Sequence, residues 1–538
     1  MNNMQKDNSF NLSEIFLFLI IGIVIVMLFS KVVPLNMDEF LFYHPIICNY
    51  YPWNKLNTFR ESCQGFDLNF LNMGPIIPLR AFPYIGSFPC IYYYPIFLIW
   101  KSPLSARLVG VIFLMLQAFL LSKIFRIRAL FVFLGLLLFF PYFFQHMVDT
   151  GPIGFQTTCI FLLYFLANKW FTTITIGYPL FIAVIIFLNI WTKPTFFWLL
   201  PGISIIFLLQ IWENRHKLFS KKESILLFIQ QAALSILLLI ALLSILFLST
   251  EPSNSSVRPY INLIGDLHYY TFQELLRGDW LSSGVVRALI NPLEATQRIF
   301  EPLPPTLLTY LWDILLYLWV PLILVILWKH SFLRQNLIST VILYISFILT
   351  LFIIIRTKNS LHMHHAILAF PFLILSILSI ISLVINNKLL DKIGYFQKRF
   401  LIMLPVIFYI LNAIFFNTFY KQPIRNHDDP SKVVVNSLLN STDLAKKYFY
   451  VVIDWGMYYY QGLYGPKEQS VLYMEPLFLQ GQIDQLKELS RSHNRKLLFI
   501  YNSRGTASNI PLIFSSFGVK RWDKIDESSV WQVLIENI

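Results

Sequence analysis

Long apolar runs recur along the chain and are separated by short polar joints. The run at 225–248 exceeds the roughly 18–20 residues that a helix needs to cross the hydrocarbon core of a bilayer. The first run is followed by Ser30, Lys31 and Pro34 rather than a small-x-small cleavage site, so we expect an uncleaved span there. The pattern predicts eleven spans in all, at 14–34, 106–124, 129–147, 153–168, 171–190, 194–212, 224–249, 306–328, 337–355, 366–386 and 400–418.

Basic residues in the joints orient these spans. Cytoplasmic joints of membrane proteins are enriched in Lys and Arg. We therefore expect a cytoplasmic N-terminus, outer loops at 35–105 and 250–305, and a periplasmic or extracellular C-terminus, in a bacterial inner (plasma) membrane. The basic joints that fall on the cytoplasmic side are Lys123/Arg126/Arg128, Lys169, Arg215/Lys217/Lys221/Lys222, Lys329/Arg334 and Lys388/Lys392/Lys398/Arg399.

The segment 82–100 tests this assignment because it is apolar enough to span. If it crossed the membrane, the basic joint at 213–222 would face outward, against the positive-inside bias. It also contains Pro83, Pro89 and Pro95, which interrupt a continuous helix. We therefore predict an interfacial or re-entrant helix here.

The last 120 residues or so have a different pattern. Residues 448–454, 496–501 and 530–535 are typical of strands, and 483–491 of a helix. The predicted fold is mainly α, a polytopic membrane protein of about eleven transmembrane helices over 1–420. A small extracytoplasmic α/β domain follows at 421–538, although this region could instead be a cap on the bundle.

Composition and charge agree with a membrane protein. The chain of 538 residues is 56% hydrophobic and 13% charged, whereas soluble domains carry about a quarter charged residues. The net charge of +13 is typical of cytoplasmic loops that meet anionic membrane lipids. No basic tract with interleaved aromatic residues favours a nucleic-acid partner, and the four cysteines form no CxxC pair that would indicate zinc.

Ionisable residues at the edge of a membrane are costly and are functional candidates for that reason. Asp38 and Glu39 follow the first span and could act as a general base, bind a cation, or only cap a helix. Asp149 lies on the outer turn after the third span and could equally be an N-cap. Lys193 stands between two apolar spans, where it needs an anionic partner or water, or extends to the interface.

A fourth candidate precedes the tenth span and combines Arg356, Lys358, His362, His364 and His365. Three histidines within four residues could ligate a divalent metal. Neighbouring side chains on a helix diverge, however, and no HExxH motif accompanies them. Two cations and three histidines at a helix N-terminus favour a phosphate. We therefore name no metal ligand and no certain cofactor, and a divalent metal and a purely structural role stay the alternatives.

In this order the motifs resemble those of the GT-C superfamily of membrane glycosyltransferases, above all protein O-mannosyltransferases and lipid A aminoarabinose transferases. The resemblance covers roughly 30–420. Asp454-Trp-Gly456 is similar to a strand end of related outer domains. The matching segments are Met37-Asp38-Glu39, Tyr93-Tyr94-Pro95 with Ser102 to Arg107-Leu108, Asp149, Leu188 to Thr192-Lys193-Pro194, and His364-His365 with Pro371.

The chain also departs from the family pattern. His364 stands where arginine is commoner, and Met73-Gly74-Pro75 only loosely replaces the family's His-Pro. The first departure affects the phosphate contact and the second affects the acceptor side.

The resemblance implies an inverting transfer of a hexosyl or pentosyl group from a polyprenyl-phosphate donor to a glycan, lipid or protein acceptor on the outer side. It assigns catalysis to Asp38, Glu39 and Asp149. It assigns the lipid phosphate to Arg107, Lys193, Arg356, His362, His364 and His365. The alternatives are a transporter or flippase for a lipid-linked glycan or polymer, and a non-catalytic scaffold. No inverted repeat favours a transporter.

Overall fold

The computed structural model describes most of the helical region and parts of the C-terminal region. The described residues are 12–32, 65–66, 77–78, 80–82, 85–100, 104–148, 152–219, 222–248, 269–293, 303–328, 334–357, 363–386, 395–422, 442–452, 471–473, 486–488, 490–502, 522–527 and 531–536.

Helices dominate these residues. In chain order they are α1 (Leu12–Val32), α2 (Phe88–Ile99), α3 (Leu104–Phe125), α4 (Ala129–Leu138), α5 (Phe140–Val148), α6 (Pro152–Thr173), α7 (Gly177–Thr192), α8 (Leu200–Leu218), α9 (Lys222–Leu248), α10 (Phe272–Arg277), α11 (Gly284–Ile290), α12 (Leu307–Trp328), α13 (Arg334–Arg356), α14 (Met363–Ala366), α15 (Phe370–Asn386), α16 (Tyr395–Tyr420) and α17 (Thr442–Lys447). Two 3₁₀ helices matter below, Pro194–Leu199 before α8 and Ile367–Ala369 before α15.

Within the described residues, six helices are long and apolar enough to cross a bilayer, or seven if the bent pair α4–α5 is one span. These are the features of an integral membrane protein. The six are Ser105–Phe125, Pro194–Leu218, Lys222–Leu246, Leu307–Trp328, Leu337–Arg356 and Ile367–Ile385.

The other four predicted spans also fall on helices, namely α1, α6, α7 and α16. Helix α6 has the length to span, but Gln156, Asn168 and Lys169 lower its hydropathy. The count of eleven therefore stays a prediction. The joint placed at Lys169 was wrong, because α6 continues to Thr173 and α7 begins only at Gly177.

The third predicted span is bent rather than straight. Helices α4 and α5 meet at Phe139 with an angle of 86°. The Phe140 N–H, which the break removes from the helical ladder, donates to Asn412 Oδ1 at 3.0 Å. Every residue of α5 is buried. Broken backbone is tolerated at membrane depth where protein satisfies it, and Asn412 does so here.

Small residues allow the membrane helices to approach closely. A Cβ built on Gly154 of α6 would lie 2.7 Å from the Phe113 ring of α3. One on Gly202 of α8 would lie 2.4 Å from Thr350 Oγ1 of α13. Such small-residue contacts are a common means of packing helices in lipid.

The segment 82–100 contains a short helix, as predicted, and its interfacial or re-entrant character stays a prediction. Helix α2 has 12 residues, about 18 Å at 1.5 Å per residue, which is shorter than the roughly 30 Å hydrocarbon core. Pro89 lies in its first turn, and Pro95 lies inside it. Two small hairpins precede it, β1 (Gly65–Phe66) with β2 (Ile77–Pro78) and β3 (Arg80–Phe82) with β4 (Ile85–Gly86).

The C-terminal region forms a mixed five-stranded sheet. The strands are β5 (Tyr448–Val452), β6 (Val471–Tyr473), β7 (Lys496–Asn502), β8 (Trp522–Glu527) and β9 (Trp531–Glu536). The three predicted strands are present as β5, β7 and β9, and β6 and β8 were not predicted. The order is β6-β5-β7-β9-β8; β5 pairs in parallel with β6 and β7, and β9 is antiparallel to β7 and β8.

The chain divides into two compact units. One, here called the membrane unit, comprises Met1–Val32, Ala106–Ser249 and Pro259–Pro423. The other comprises Val33–Ser105, Thr250–Arg258 and Ile424–Ile538. The helix packing and the polar clusters described next lie in the membrane unit.

Candidate functional site

Helix ends meet at one end of the membrane unit, the end predicted to face outward. Three interhelical contacts join them. Arg107 Nη1 near the start of α3 donates to the Met147 carbonyl near the end of α5. Gln156 Nε2 of α6 donates to the Lys193 carbonyl after α7 at 3.0 Å. The His365 ring of α14 packs edge-on against Trp198, with 5.3 Å between ring centroids.

Residues 193–199, here called the Lys193 turn, take part in two of these contacts. Lys193 ends α7 in an extended conformation, with φ −161° and ψ 130°. Pro194 then starts a 3₁₀ helix, where its fixed φ and missing N–H are tolerated. Lys193 is half-buried, and its carbonyl also accepts the Phe196 N–H at 3.1 Å. The local sequence Thr-Lys-Pro therefore makes a sharp change of direction that carries a lysine.

Several buried polar atoms lie on or against the Lys193 turn without a hydrogen-bond partner among the described residues. They are Gln156 Oε1, Thr195 Oγ1 and Trp198 Nε1. Gln156 is fully buried and Trp198 is 3% exposed. A buried polar group left without a partner costs about 1–3 kcal/mol. Native structures leave few such groups, so their concentration beside a lysine favours a binding role.

A second polar cluster lies deeper between α3, α5 and α6. We call Gln117, Tyr142, His146, Thr157 and Thr158 the His146 network. Tyr142 OH donates to Gln117 Oε1 at 2.8 Å. Gln117 Nε2 lies 2.9 Å from both His146 Nε2 and Thr158 Oγ1. All five side chains are buried, and hydrogen bonds link each of them to at least one other.

The backbone contacts of the network define the protonation of His146. Its Nδ1 lies 2.8 Å from the Tyr142 carbonyl, which can only accept, so Nδ1 carries the hydrogen. Gln117 Nε2 can only donate, so His146 Nε2 accepts. One donor and one acceptor are what a neutral imidazole offers. The network is therefore complete without a charge.

Arg356 joins the end of α13 to the segment before α10. Its carbonyl accepts the Tyr270 N–H at 2.9 Å, and Thr357 forms an antiparallel bridge with Tyr269. The guanidinium carbon lies 5.7 Å from the centre of the Tyr269 ring, a cation–π distance. Arg356 is exposed. It thus fastens a loop segment while its charge stays accessible.

The other predicted site residues divide into described and undescribed ones. Arg107 is buried at 1% exposure beside the Met147 carbonyl, and His365 is half-buried beside Trp198. Helix α14 contains His364, but its side chain lies outside the described residues. Outside them as well are Asp38, Glu39, Asp149, Lys358 and His362.

Within the described parts of the chain, no group of three or more His, Cys, Asp or Glu side chains could hold a metal ion. The metal alternative rests on three histidines within four residues, and only His365 has a described side chain. No ligand set for a metal can therefore be built from the described residues.

One cavity among the described helices is apolar, and Lys193 is not part of its lining. It measures about 240 Å³, lies between α4, α12, α15 and α16, and has no ionisable group in its lining except the Tyr409 hydroxyl. Such a groove fits hydrocarbon rather than a reaction between charged groups.

Gln156, Trp198 and Gln117 are not among the predicted site residues. The two glutamines carry a signal in the sequence, because glutamine is rare in the apolar part of a membrane helix and polar residues there mark interhelical contacts. The predicted site includes only residues at the ends of the spans. Trp198 was hidden because an aromatic residue is unremarkable in an apolar segment.

The comparisons with known proteins give a fold likeness only. No protein-family model and no curated protein matches the chain. Solved structures resemble it. One is the oligosaccharyltransferase AglB of Archaeoglobus fulgidus with an inhibitory peptide and a dolichol-phosphate, at 11% identity and a TM-score of 0.41, covering 94% of this chain and 71% of that one. Another is the Archaeoglobus fulgidus oligosaccharyltransferase in the apo form, at 11% identity and a TM-score of 0.42, covering 92% and 70%. At this identity and these TM-scores the likeness says nothing about activity, which has to be argued from the side chains.

Proposed function

We propose that the chain is a GT-C-type glycosyltransferase of the cell envelope. It moves a hexosyl or pentosyl group, with inversion, from a polyprenyl-phosphate donor to an acceptor on the outer side of the membrane. Nucleotide sugars are confined to the cytoplasm, so an outward site calls for a donor carried by the membrane itself. The acceptor is a glycan, a lipid or a protein.

The observation that supports this proposal best is the Lys193 turn. Lys193 ends α7 in an extended conformation, at the predicted outer edge of the membrane, and buried polar groups around it have no partner among the described residues. His365 lies against the same turn through Trp198. A lipid phosphate brings negative charge and several acceptor oxygens, which a lysine and N–H donors such as the Trp198 indole can bind. A non-catalytic scaffold gives no reason for this concentration.

The proposed reaction is one direct displacement. Asp38 takes the proton of the acceptor hydroxyl, whose oxygen forms a bond to the anomeric carbon. The bond from that carbon to the phosphate oxygen breaks, and the polyprenyl phosphate leaves with the electron pair. Lys193, Arg356 and His364 stabilise the developing phosphate charge. Arg107, His362 and His365 are assigned to the same lipid phosphate. Glu39 or Asp149 orients the sugar or the acceptor.

The test is transfer by the purified chain in nanodiscs that contain a polyprenyl-phosphate sugar. We expect Asp38→Asn to lower turnover by about 10²–10⁴, because an amide of the same shape cannot accept the proton. Donor binding should persist, and Glu223→Gln, which changes an exposed carboxylate at the start of α9, serves as the matched control. Near-normal turnover in a well-folded Asp38→Asn chain removes that residue as the base. Movement of the lipid across the bilayer without a new glycosidic bond would instead show a flippase.

The outward location has its own test. Reporter fusions after residues 222 and 430 should report the cytoplasmic and the outer side, respectively, as the basic joints predict. A cytoplasmic signal at 430 would overturn the orientation. The argument for a lipid-linked donor, which depends on an outward site, would then fail as well.

A further inference from the structure

Gln156 is a buried amide in a helix that is otherwise mostly apolar. It lies in the second turn of α6 and is fully buried. An amide in this position is costly unless its donors and acceptor are used. The partners of its amide nitrogen are main-chain carbonyls on the neighbouring segment rather than other side chains.

These partners lie on both sides of the direction change at Lys193. Gln156 Nε2 donates to the Asn189 carbonyl at 3.3 Å and to the Lys193 carbonyl at 3.0 Å. The first belongs to the last turn of α7, and the second opens the 3₁₀ helix. Both carbonyls also accept a backbone N–H, that of Asn189 from Lys193 and that of Lys193 from Phe196, each at 3.1 Å, so the Gln156 amide adds a second hydrogen bond to each. One amide group thus joins the end of α7 to the start of the next helix.

We infer that Gln156 is the positioning residue of Lys193 and sets where its ammonium group meets the anionic group of the lipid substrate. The inference rests on the proposed function. Of the residues from Asn189 to Lys193, only Lys193 is extended, and its φ and ψ determine where its side chain leaves the backbone. Tying both carbonyls to α6 limits the rotation of that residue. A charge placed in advance costs less to organise when the ligand binds.

A purely structural role for Gln156 makes a different prediction. If the amide only adds hydrogen bonds to these carbonyls, its loss lowers stability and affects ligand binding independently of Lys193. If it positions Lys193, its loss has an effect only while the lysine is present. A double-mutant cycle separates the two.

The experiment compares Gln156→Leu, Lys193→Ala and the double variant in nanodiscs, with binding of a polyprenyl phosphate as the readout. We expect Gln156→Leu to weaken binding roughly tenfold to a hundredfold, the scale of a small misplacement of a binding group. In the Lys193→Ala background the same change should add less than about twofold. Additive losses, or unchanged binding in a folded Gln156→Leu chain, overturn the inference.

Gln210→Leu is the matched control. Gln210 is also fully buried, on α8, and its side chain interacts with that of Tyr164 on α6. This control should leave polyprenyl-phosphate binding within about twofold of the unmodified chain. If Gln156→Leu fails to fold, Gln156→Glu keeps the shape, loses both N–H donors, and should show the same dependence on Lys193.

Hydrogen exchange of the 193–199 amides tests the positioning without any ligand. Gln156→Leu should speed exchange at the Phe196 amide, which shares the Lys193 carbonyl, and Gln210→Leu should not. Unchanged exchange overturns the inference even if transfer activity is found. Faster exchange combined with normal polyprenyl-phosphate binding by Lys193→Ala supports the positioning and removes the proposed function.

Discussion

The His146 network and the Lys193 turn are both polar clusters in an apolar bundle, yet they differ in how far they are satisfied. In the network, hydrogen bonds of 2.8–3.2 Å join all five side chains. Around the turn, Gln156 Oε1, Thr195 Oγ1 and Trp198 Nε1 have no partner among the described residues.

This difference separates two uses of buried polarity. A network whose donors and acceptors match within the protein has little left to offer a ligand, so it fixes helices. Polar groups without a hydrogen-bond partner beside a lysine lower the stability of the free protein. The protein regains that stability when a ligand supplies the missing partners. Mutations in the network should therefore change stability, and mutations at the turn should change activity.

The largest expected effect is that of Lys193→Ala. Loss of one electrostatic contact to the leaving phosphate should lower turnover by about 10²–10³, with little change in thermal stability. Lys193→Arg, which keeps the charge, should retain much of the activity in the same transfer assay. Normal turnover in a folded Lys193→Ala chain would show that the Lys193 turn, like the His146 network, has only a structural role.

Gln117→Leu should show the opposite behaviour. It removes the acceptor of the Tyr142 hydroxyl, whereas His146 Nε2 and Thr158 keep Thr157 and the Gly154 carbonyl as partners. One unsatisfied buried group costs about 1–3 kcal/mol. The free energy of unfolding in detergent or bicelles measures this loss. Turnover per folded molecule should stay near that of the unmodified chain. A selective loss of turnover would show that the network takes part in the chemistry.

A packing change tests the network without touching a polar atom. Gly154→Ala places a methyl group 2.7 Å from the Phe113 ring, so α3 and α6 must separate or the ring must move, at a cost of roughly 1–3 kcal/mol. Gly177→Ala is the control, because a Cβ there meets nothing within 4 Å, and we expect a change within about 0.5 kcal/mol. Equal stabilities of the two variants would mean that α3 and α6 adapt freely.

The smallest effect comes from a pair of threonines. Thr157→Val removes a hydroxyl that lies 2.9 Å from His146 Nε2 and donates to the Ile153 carbonyl, and should cost about 0.5–1.5 kcal/mol. Thr195→Val removes a hydroxyl without a partner among the described residues, and should leave stability unchanged or raised. Thermal melts of both variants decide this. A larger loss for Thr195→Val would contradict the contrast between the clusters.

The sequence by itself determined the membrane class and the approximate places of the helices, because apolar runs of bilayer length have few alternatives to a helix. It also singled out Lys193, since an isolated charge between apolar segments is costly wherever it lies. Three C-terminal strands were recognisable from short apolar runs such as 448–454. The edge strand Trp522–Glu527 was not, because alternating charges conceal it.

Only the tertiary structure decided the bend at Phe139 and the partners of the buried glutamines. Asn412 satisfies the broken backbone from a helix 272 residues further along the chain, a pairing that no local pattern contains. For the same reason Gln156 and Gln117 look alike in the sequence, as single amides in apolar helices. One meets the carbonyls beside Lys193 and the other meets a histidine and two threonines. The neighbours that complete a hydrogen bond are set by helix packing, and they give each buried amide its role.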